Sequence, residues 1–494
     1  MILGLDIGTG SVRAGVVDAG GRLTATATQT HATYFPRHGW VEQAPQDWWA
    51  GVVATIRQTL QTAGLPPDQI AAIAVCGQMH APVLLDRNRQ LVQERVPLWN
   101  DKRAAPQAAA LNALPNLRGL PGAINPATPA WPGVKLKWLA ETEPATLARA
   151  DTLLMPKDYI NFRLTGELAM DWSEAGSSFL SHATARDWSA VMAARLGVPQ
   201  HILPAILPSQ TILGPLSAAA AEATGLAAGT PVLVGAGDFP CAILGSGVTE
   251  PGQVSDVTGT SFLLTRIGTA PLAHPQVMNV ALPLRGWGAF AVVDAAGDAV
   301  RWAARVLDHD RRSFEALSEA AAGVPPGADG LMFLPYLTGE RLGQGAASKA
   351  GFLGLTAAHG PAHLHRAVME GVVLAMAAAF APVSALTGPP EQIIAAAGGA
   401  RSPLWLQIKA DVFSAPIVPT VEAECGLIGV AALAHSALGR FADAHEAARA
   451  LVRYRPPVEP LAANRDRYSA LAARFHQIRS LMAAVNTTLS EPLP

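Results

Sequence analysis

An α/β fold built from two similarly constructed domains is predicted by three features of this chain: its length, the alternation of strand and helix patterns, and a repeated turn motif. At 494 residues the chain exceeds the size at which a single hydrophobic core keeps growing, so two domains are expected. Short apolar runs alternate with helical periodicities, the pattern of α/β architecture. The repeat is Asp6-Ile7-Gly8-Thr9-Gly10-Ser11, echoed 250 positions later by Asp256-Val257-Thr258-Gly259-Thr260-Ser261. Each copy separates two short apolar runs and reads as a β-hairpin with a turn of glycines and hydroxyl residues. Such a turn admits close approach of the backbone and collects N–H donors in a concavity that suits phosphate oxygens. One turn in each half points to two halves facing each other across a polyphosphate.

The elements follow in order. The first 30 residues predict three strands, with turns at Gly8-Thr9-Gly10 and Ala19-Gly20-Gly21; these antiparallel hairpins make the sheet mixed. Gly51 to Thr62 is expected to be a helix, and Ile70 to Cys76 a buried strand entering the turn Gly77-Gln78-Met79-His80. Val134 to Leu139 has helical spacing, and Thr230 to Val234 is a buried strand ending in Gly235-Ala236-Gly237-Asp238. The domains are placed at 1–244 and 245–494, with a hinge between Gly245 and Pro251. The second half has its own hairpin, a helix from about Gly297, a loop-rich stretch from Val324 to Gly351 and a long helix from His363. A strand from Gln392 to Ala397 leads into Gly398-Gly399-Ala400. Ser402-Pro403 then opens a helix, because Ser accepts a free first-turn N–H and Pro fits the first helical position. A polar helix is expected past Pro457.

Composition removes several function classes. A net charge of −2 with no basic blocks argues against a nucleic-acid partner. Cys76, Cys241 and Cys425 are distant in sequence and lie in apolar contexts, as reduced, buried thiols of a cytoplasmic protein do. Asp6 interrupts the first apolar run, so no secretory signal is expected. Val372 to Leu386 is too short for a bilayer and is broken by Pro382, so a core helix is expected and no membrane partner. His363 and His365 fall on different helix faces and are expected at the surface. The sequence has no Gly-x-x-x-x-Gly-Lys-Ser/Thr loop, zinc motif or nucleophile elbow.

Asp6 and Asp238 each follow a buried apolar strand, beside glycines. A carboxylate there caps its own turn or holds a cation or proton. Beside the paired turns the second reading is favoured, with Asp6 near magnesium and phosphate and Asp238 a base facing a hydroxyl. Strand ends beside flexible glycines are where α/β sheets place ligands. Trp40-Val41-Glu42-Gln43 and Trp99-Asn100-Asp101 set indole faces beside amides and carboxylates, a combination that grips polyol hydroxyls as readily as it packs a core.

Motifs along nearly the whole chain resemble the FGGY carbohydrate kinases. In the first half they are Asp6-Ile7-Gly8-Thr9, Val41-Glu42-Gln43 with Asp47-Trp48-Trp49, Gly77-Gln78-Met79-His80, Leu98-Trp99-Asn100-Asp101 with Arg103, and Pro156-Lys157-Asp158-Tyr159. In the second half they are Gly237-Asp238, Thr258-Gly259-Thr260-Ser261, Leu334-Pro335-Tyr336 with Gly339-Glu340-Arg341, and Gly398-Gly399-Ala400-Arg401-Ser402-Pro403. The resemblance implies an actin-like fold of two ribonuclease-H-like domains around a cleft that holds ATP and magnesium. By position it implies Asp238 as catalytic base, Asp6 as the carboxylate at phosphate, and both as neighbours of Mg2+. Met79 and His80 would line a ketose site with Trp99 and Asp101, while Thr9, Thr260, Gly297 and Gly399 would contact nucleotide. Within the family the motifs are nearest those of kinases acting on D-xylulose. The acceptor expected first is therefore D-xylulose, then ribulose or a tetritol, with an actin-like ATPase lacking sugar transfer as the rival class. A homodimer is typical of such proteins. Phe239-Pro240-Cys241 after Asp238, Ala81-Pro82 after His80, and Lys102 depart from the family pattern on the sugar side.

Overall fold

The computed structural model describes residues 1–117, 120, 123–342 and 347–490. Each half of the chain forms a lobe around one mixed sheet. In the first lobe β1 (Ile2–Ile7) pairs antiparallel with β2 (Ser11–Val17), and β2 with β3 (Leu23–Thr30). The other edge of β1 runs parallel to β4 (Ala72–Gly77). With β5 (Ile212–Pro215), β6 (Pro231–Leu233) and the two-residue strand Ala236–Gly237, which also pairs with β4, the sheet has seven strands, in the order β5-β6-β4-β1-β2-β3. Ile2, Leu3, Leu5 and Ile7 are all fully buried, which is why β1 reads as a continuous apolar run instead of an alternating one.

The second lobe repeats the plan. β7 (Val254–Thr258) pairs antiparallel with β8 (Phe262–Gly268), which pairs with β10 (Trp287–Val293), and β10 pairs with β9 (Met278–Ala281). β7 runs parallel to β11 (Ile393–Ala396), and β11 to β12 (Ile417–Pro419). β7 thus occupies the place of β1, and the two repeated turns join corresponding strands.

Helix α1 (Pro45–Ala63) starts six residues before the expected Gly51 and buries Val52, Ile56 and Leu60 against the first sheet. α2 (Pro132–Thr142) contains the expected Val134–Leu139 segment. α3 (Asp238–Leu244) begins at the candidate base, and α4 (Gly297–Asp308) at a candidate nucleotide residue. α5 (Pro361–Thr387) forms the spine of the second lobe's core. Among the described residues it is the one helix long and apolar enough to cross a membrane, and it is mostly buried inside the protein.

Two expectations about α5 are corrected. The helix does not stop at Pro382, because Phe380 and Val383 on either side pack into the core. That packing outweighs the cost of an interior proline, about 3 kcal/mol. His365 is 3% exposed and not at the surface, since the face it shares with Met369 and Val372 turns into the lobe. His363 is half-buried; its Nδ1 accepts from the Gly360 N–H at 3.2 Å, and its Nε2 lies 3.2 Å from Asp329. The stretch read as loop from Val324 holds a short antiparallel pair, Met332–Leu334 with Gly351–Leu353, while its residues 343–346 lie outside the described ones.

α6 (Pro403–Phe413) opens as expected, with Ser402 Oγ accepting from Trp405 N–H at 3.2 Å. α7 (Cys425–Ala437) belongs to the second half in sequence yet packs on the first sheet, where Ile428, Val430 and Leu433 join Ile2, Ala72 and Ala74 in one core. It crosses α3 so closely that a Cβ on Gly245 or Gly429 would strike the opposing backbone carbonyl. α7 thus ties the second half to the first. The three cysteines are free and buried, and the Cys76 and Cys241 thiols adjoin.

Candidate active site

A cavity of about 170 Å³ lies between the lobes. The first lobe contributes Thr9, Met79, His80, Trp99 and Asp238 to its wall, and the second lobe Ser261, Asn279 and Arg341. The turn after β1, the turn after β4 and the start of α3 all sit at the same edge of the first sheet, so residues scattered over 230 positions meet there.

Asp238 is the first residue of α3, and its Oδ1 accepts the Phe239 N–H at 2.7 Å. Glycines allow this placement. A Cβ on Gly237 would come within 2.7 Å of the Met79 side chain, and Gly235 has φ +70 with its Cα against the Val75 carbonyl. The Gly237 N–H is fixed by Ser173 Oγ at 2.9 Å. Asp6 lies on β1 beside Cys76 of β4, and its Oδ1 is sealed from solvent with no hydrogen-bond partner. Burial, helped by the negative charge of Asp6, raises the Asp238 carboxyl to about 8. Burial raises Asp6 to about 6 against the pull of Arg13. The two carboxyls thus form an electrostatically coupled pair that holds protons easily when the cleft is empty.

Across the cavity from Asp238, His80 adopts a left-handed conformation at φ 70, unusual for a residue with a side chain. Lys135 of α2 holds it there, donating from Nζ to the His80 carbonyl at 2.8 Å and also to the Ala130 carbonyl. Trp131 meets the imidazole edge-on at 4.9 Å between ring centroids. Burial, with the charges of Lys135 and Arg341, holds the His80 pKa well below the usual histidine range, so the ring is neutral and can both donate to and accept from hydroxyls. Burial also lowers Lys135 to about 7.

Asp101 is not placed as expected. It is 1% exposed, accepts the Val41 N–H at 2.7 Å and holds the Arg103 guanidinium through both oxygens, so its capacity is spent inside the protein. Arg103 in turn reaches Glu42 at 2.6 Å and covers the Trp40 ring. The polar-aromatic clusters at 40–43 and 99–101 thus form one structural knot, from which only Trp99 faces the cavity.

The second lobe gathers the nucleotide candidates around its own turn. The Thr260 carbonyl accepts from Ala296 N–H at 3.0 Å and Asp298 N–H at 3.2 Å, and Gly297 lies so close that a Cβ would strike the Gly259 carbonyl. A Cβ on Gly399 would come within 2.5 Å of Thr258. Beside this turn a second cavity of about 370 Å³ is lined by Ala397, Ala400 and Arg401 from the second lobe and Arg13 from the first. Thr9 sits apart from this group, on the interlobe cavity, where its Oγ1 accepts from the Trp99 indole N–H at 2.9 Å.

Comparison with known proteins settles the family. The N-terminal domain of the FGGY carbohydrate kinases matches residues 1–245, and their C-terminal domain residues 255–438. The chain belongs to the FGGY family of carbohydrate kinases. It is 28% identical to the xylulose kinase of Bacillus subtilis (strain 168) over 501 aligned positions, covering 99% of this chain and 98% of the relative. It is 33% identical to the xylulose kinase of Escherichia coli (strain K12), covering 83% of this chain and 84% of the relative. The solved structure of xylulose kinase from Rhodospirillum rubrum superposes with a TM-score of 0.87 at 29% identity, covering 98% and 99% of the two chains. The fold is thus the two-lobed, actin-like one, and the enzyme is a sugar kinase.

For this carbohydrate kinase, residue-by-residue reading missed Trp131, Ser177 and Arg341 as neighbours of the interlobe cavity. Arg341 stood in a quoted motif, Gly339-Glu340-Arg341, without a role. Trp131 and Ser177 had no sequence signal, because they reach the cavity only through the packing of the helices they border, Trp131 before α2 and Ser177 after the short helix Trp172–Gly176.

Proposed function

We propose that this kinase transfers the γ-phosphoryl group of ATP to a terminal hydroxyl of D-xylulose, giving D-xylulose 5-phosphate and ADP. The observation that carries the reading is that Asp238 shares one small interlobe cavity with Met79, His80 and Trp99. A volume of about 170 Å³ corresponds to five or six waters at ~30 Å³ each, room for a single small sugar. The xylulose kinases of B. subtilis and E. coli among the relatives support the choice of sugar.

In this scheme the Asp238 carboxylate accepts the hydroxyl proton while the sugar oxygen bonds to the γ-phosphorus. The bond from that phosphorus to the β,γ-bridging oxygen breaks, and ADP leaves with the electron pair. His80, as a neutral imidazole, and the Trp99 face orient the ketose. The Thr260 turn, Gly297 and Gly399 face the nucleotide, and the Thr9 turn approaches from the first lobe.

Magnesium fits the donor set. Mg2+ bound with a nucleotide needs only one or two protein carboxylates beside phosphate and water. Asp6 has a sealed, unpartnered Oδ1, with the Asp238 carboxyl electrostatically coupled to it. When bound, the ion neutralises charge on the phosphates.

A coupled ADP-release screen across pentuloses, hexuloses and polyols tests the reading. D-xylulose should stimulate ADP release most, and Asp238→Asn should abolish the stimulation. ADP release that no sugar raises above its basal rate would remove the sugar-transfer reading.

A further inference from the structure

The acceptor cavity has one wall that touches both phosphate-side turns. Trp99, from the first lobe, donates its indole N–H to Thr9 Oγ1 at 2.9 Å, in the turn between β1 and β2. Over the face of the same ring, 4.7 Å from its centroid, lies the guanidinium of Arg341, which comes from the second lobe. Arg341 is anchored at its other end, donating from Nε to Asp294 Oδ1 at 2.8 Å, and its side chain is 16% exposed. Asp294 directly follows β10 and stands three residues before Gly297, the start of the helix whose first turn presses on the Gly259-Thr260 turn. A continuous path therefore runs Asp294–Arg341–Trp99–Thr9. It joins the phosphate-side turn of one lobe to that of the other, and Trp99 and Arg341 in its middle both line the sugar cavity.

We propose that Trp99 and Arg341 are a positioning pair that couples acceptor binding to nucleotide binding. A sugar packed against Trp99 fixes the indole. The indole fixes the Thr9 hydroxyl on one side and the plane of Arg341, with Asp294 and the start of α4, on the other. Both phosphate turns, which meet the cavity wall at Thr9 and Ser261, are thereby set by the acceptor through one shared pair of side chains. Linkage makes the effect reciprocal, so nucleotide tightens sugar by the same factor as sugar tightens nucleotide. The pair also gives the protein a means to favour a sugar hydroxyl over water, because the turns are fully arranged only when the cavity is filled. A stacked, planar cation suits this role better than a lysine, which cannot lie flat on the ring.

The proposal rests on the reading of this cavity as the sugar site. The test is calorimetric titration of the full-length protein with D-xylulose, with and without the non-hydrolysable ATP analogue AMP-PNP and magnesium. It compares wild type, Trp99→Phe (ring kept, indole N–H removed) and Arg341→Lys (charge kept, planar fork removed), with thermal melts to confirm folding. In wild type AMP-PNP should tighten sugar at least about fivefold, the lower end of usual coupling factors. In both variants the factor should fall to within about twofold of unity, and sugar-free ATP hydrolysis should rise relative to transfer. Wild-type coupling retained in both folded variants would overturn the proposal. So would loss of sugar binding in Arg341→Lys with coupling of the residual binding intact, which would make Arg341 a direct ligand instead. A wild-type protein that binds AMP-PNP but no sugar would overturn the functional reading; one that binds both independently would overturn the coupling alone.

Discussion

Replacing the candidate base should make the empty enzyme more stable, by an amount that depends on pH. The Asp238 carboxyl is raised to about 8 in the folded protein, against roughly 3.9 for an unfolded aspartate. The folded state therefore binds more protons than the unfolded one between those values, and stability falls as pH rises from about 4 through about 8. A shift of about four units at 1.36 kcal/mol each gives ~5.5 kcal/mol when the group is fully ionised. Asp238 is only partly buried where it lines the cavity, so the measurable cost is nearer 2–3 kcal/mol after screening. Asp238→Asn removes the charge and keeps an Oδ1 to accept the Phe239 N–H, so nothing else is lost. The assay is ligand-free thermal melting of wild type and variant from pH 5 to pH 9. The variant should melt higher, with the gap widening to about 5–10 °C at pH 9, taking 1 kcal/mol as ~2–4 °C for lobes of this size. A gap that does not change with pH, or a variant less stable than wild type at pH 9, would refute the assignment of Asp238 as a buried charge left unpaired for function.

The same titration governs rate: kcat/KM should rise with pH as the coupled Asp6–Asp238 pair ionises, with an apparent midpoint near 8 for the free enzyme, and a profile flat from pH 6 to 9 would count against Asp238 as base. Asp6→Asn should raise the magnesium concentration needed for half-maximal activity at least tenfold, read by titrating metal at fixed ATP. Gly237→Ala, whose new methyl would press on Met79 at 2.7 Å, should cut kcat/KM for the sugar 10²-fold or more while nucleotide affinity stays within a few-fold, by equilibrium dialysis. Lys135→Met should release the left-handed His80 carbonyl and raise the sugar KM more than it lowers kcat.

What was readable in the chain depended on local chemistry. The hairpins of both lobes were legible because Gly8-Thr9-Gly10 and Gly259-Thr260 are turn residues between apolar runs, and the backbone there needs little beyond its neighbours. The glycines at 235 and 237 were legible for a related reason, since no other residue fits against Val75 and Met79. Features set by distant partners were not. Asp101 stands in a polar-aromatic motif that suits a sugar, but Val41 and Arg103 claim its oxygens across turns no periodicity reports. The place of Arg341 depends on the second lobe lying against the first, and the crossing of α7 over α3 joins segments 180 residues apart. Pro382 and His365 were judged by residue preference, which core packing overrode.

The repeated motif shows why the lobes are alike in fold and unlike in chemistry. Asp6 and Asp256 hold corresponding positions, each on a strand antiparallel to the next and parallel to a later one. Asp256 is fully buried and bound to Lys409 Nζ at 2.6 Å, with Thr258 completing the cluster and the ammonium lying over the Phe262 and Trp405 rings. A buried carboxylate so paired has no capacity for a ligand, and removing one partner from such a pair costs several kcal/mol, about 3–5. Asp6 has Cys76 and the edge of Asp238 where Asp256 has its lysine, and its Oδ1 is left without a partner. Two turns of like construction thus differ at one neutralising cation. The lobe that has it gains a rigid platform beneath its turn, and the lobe that lacks it keeps a carboxylate oxygen without a partner, as the proposed binding of a nucleotide-borne cation requires.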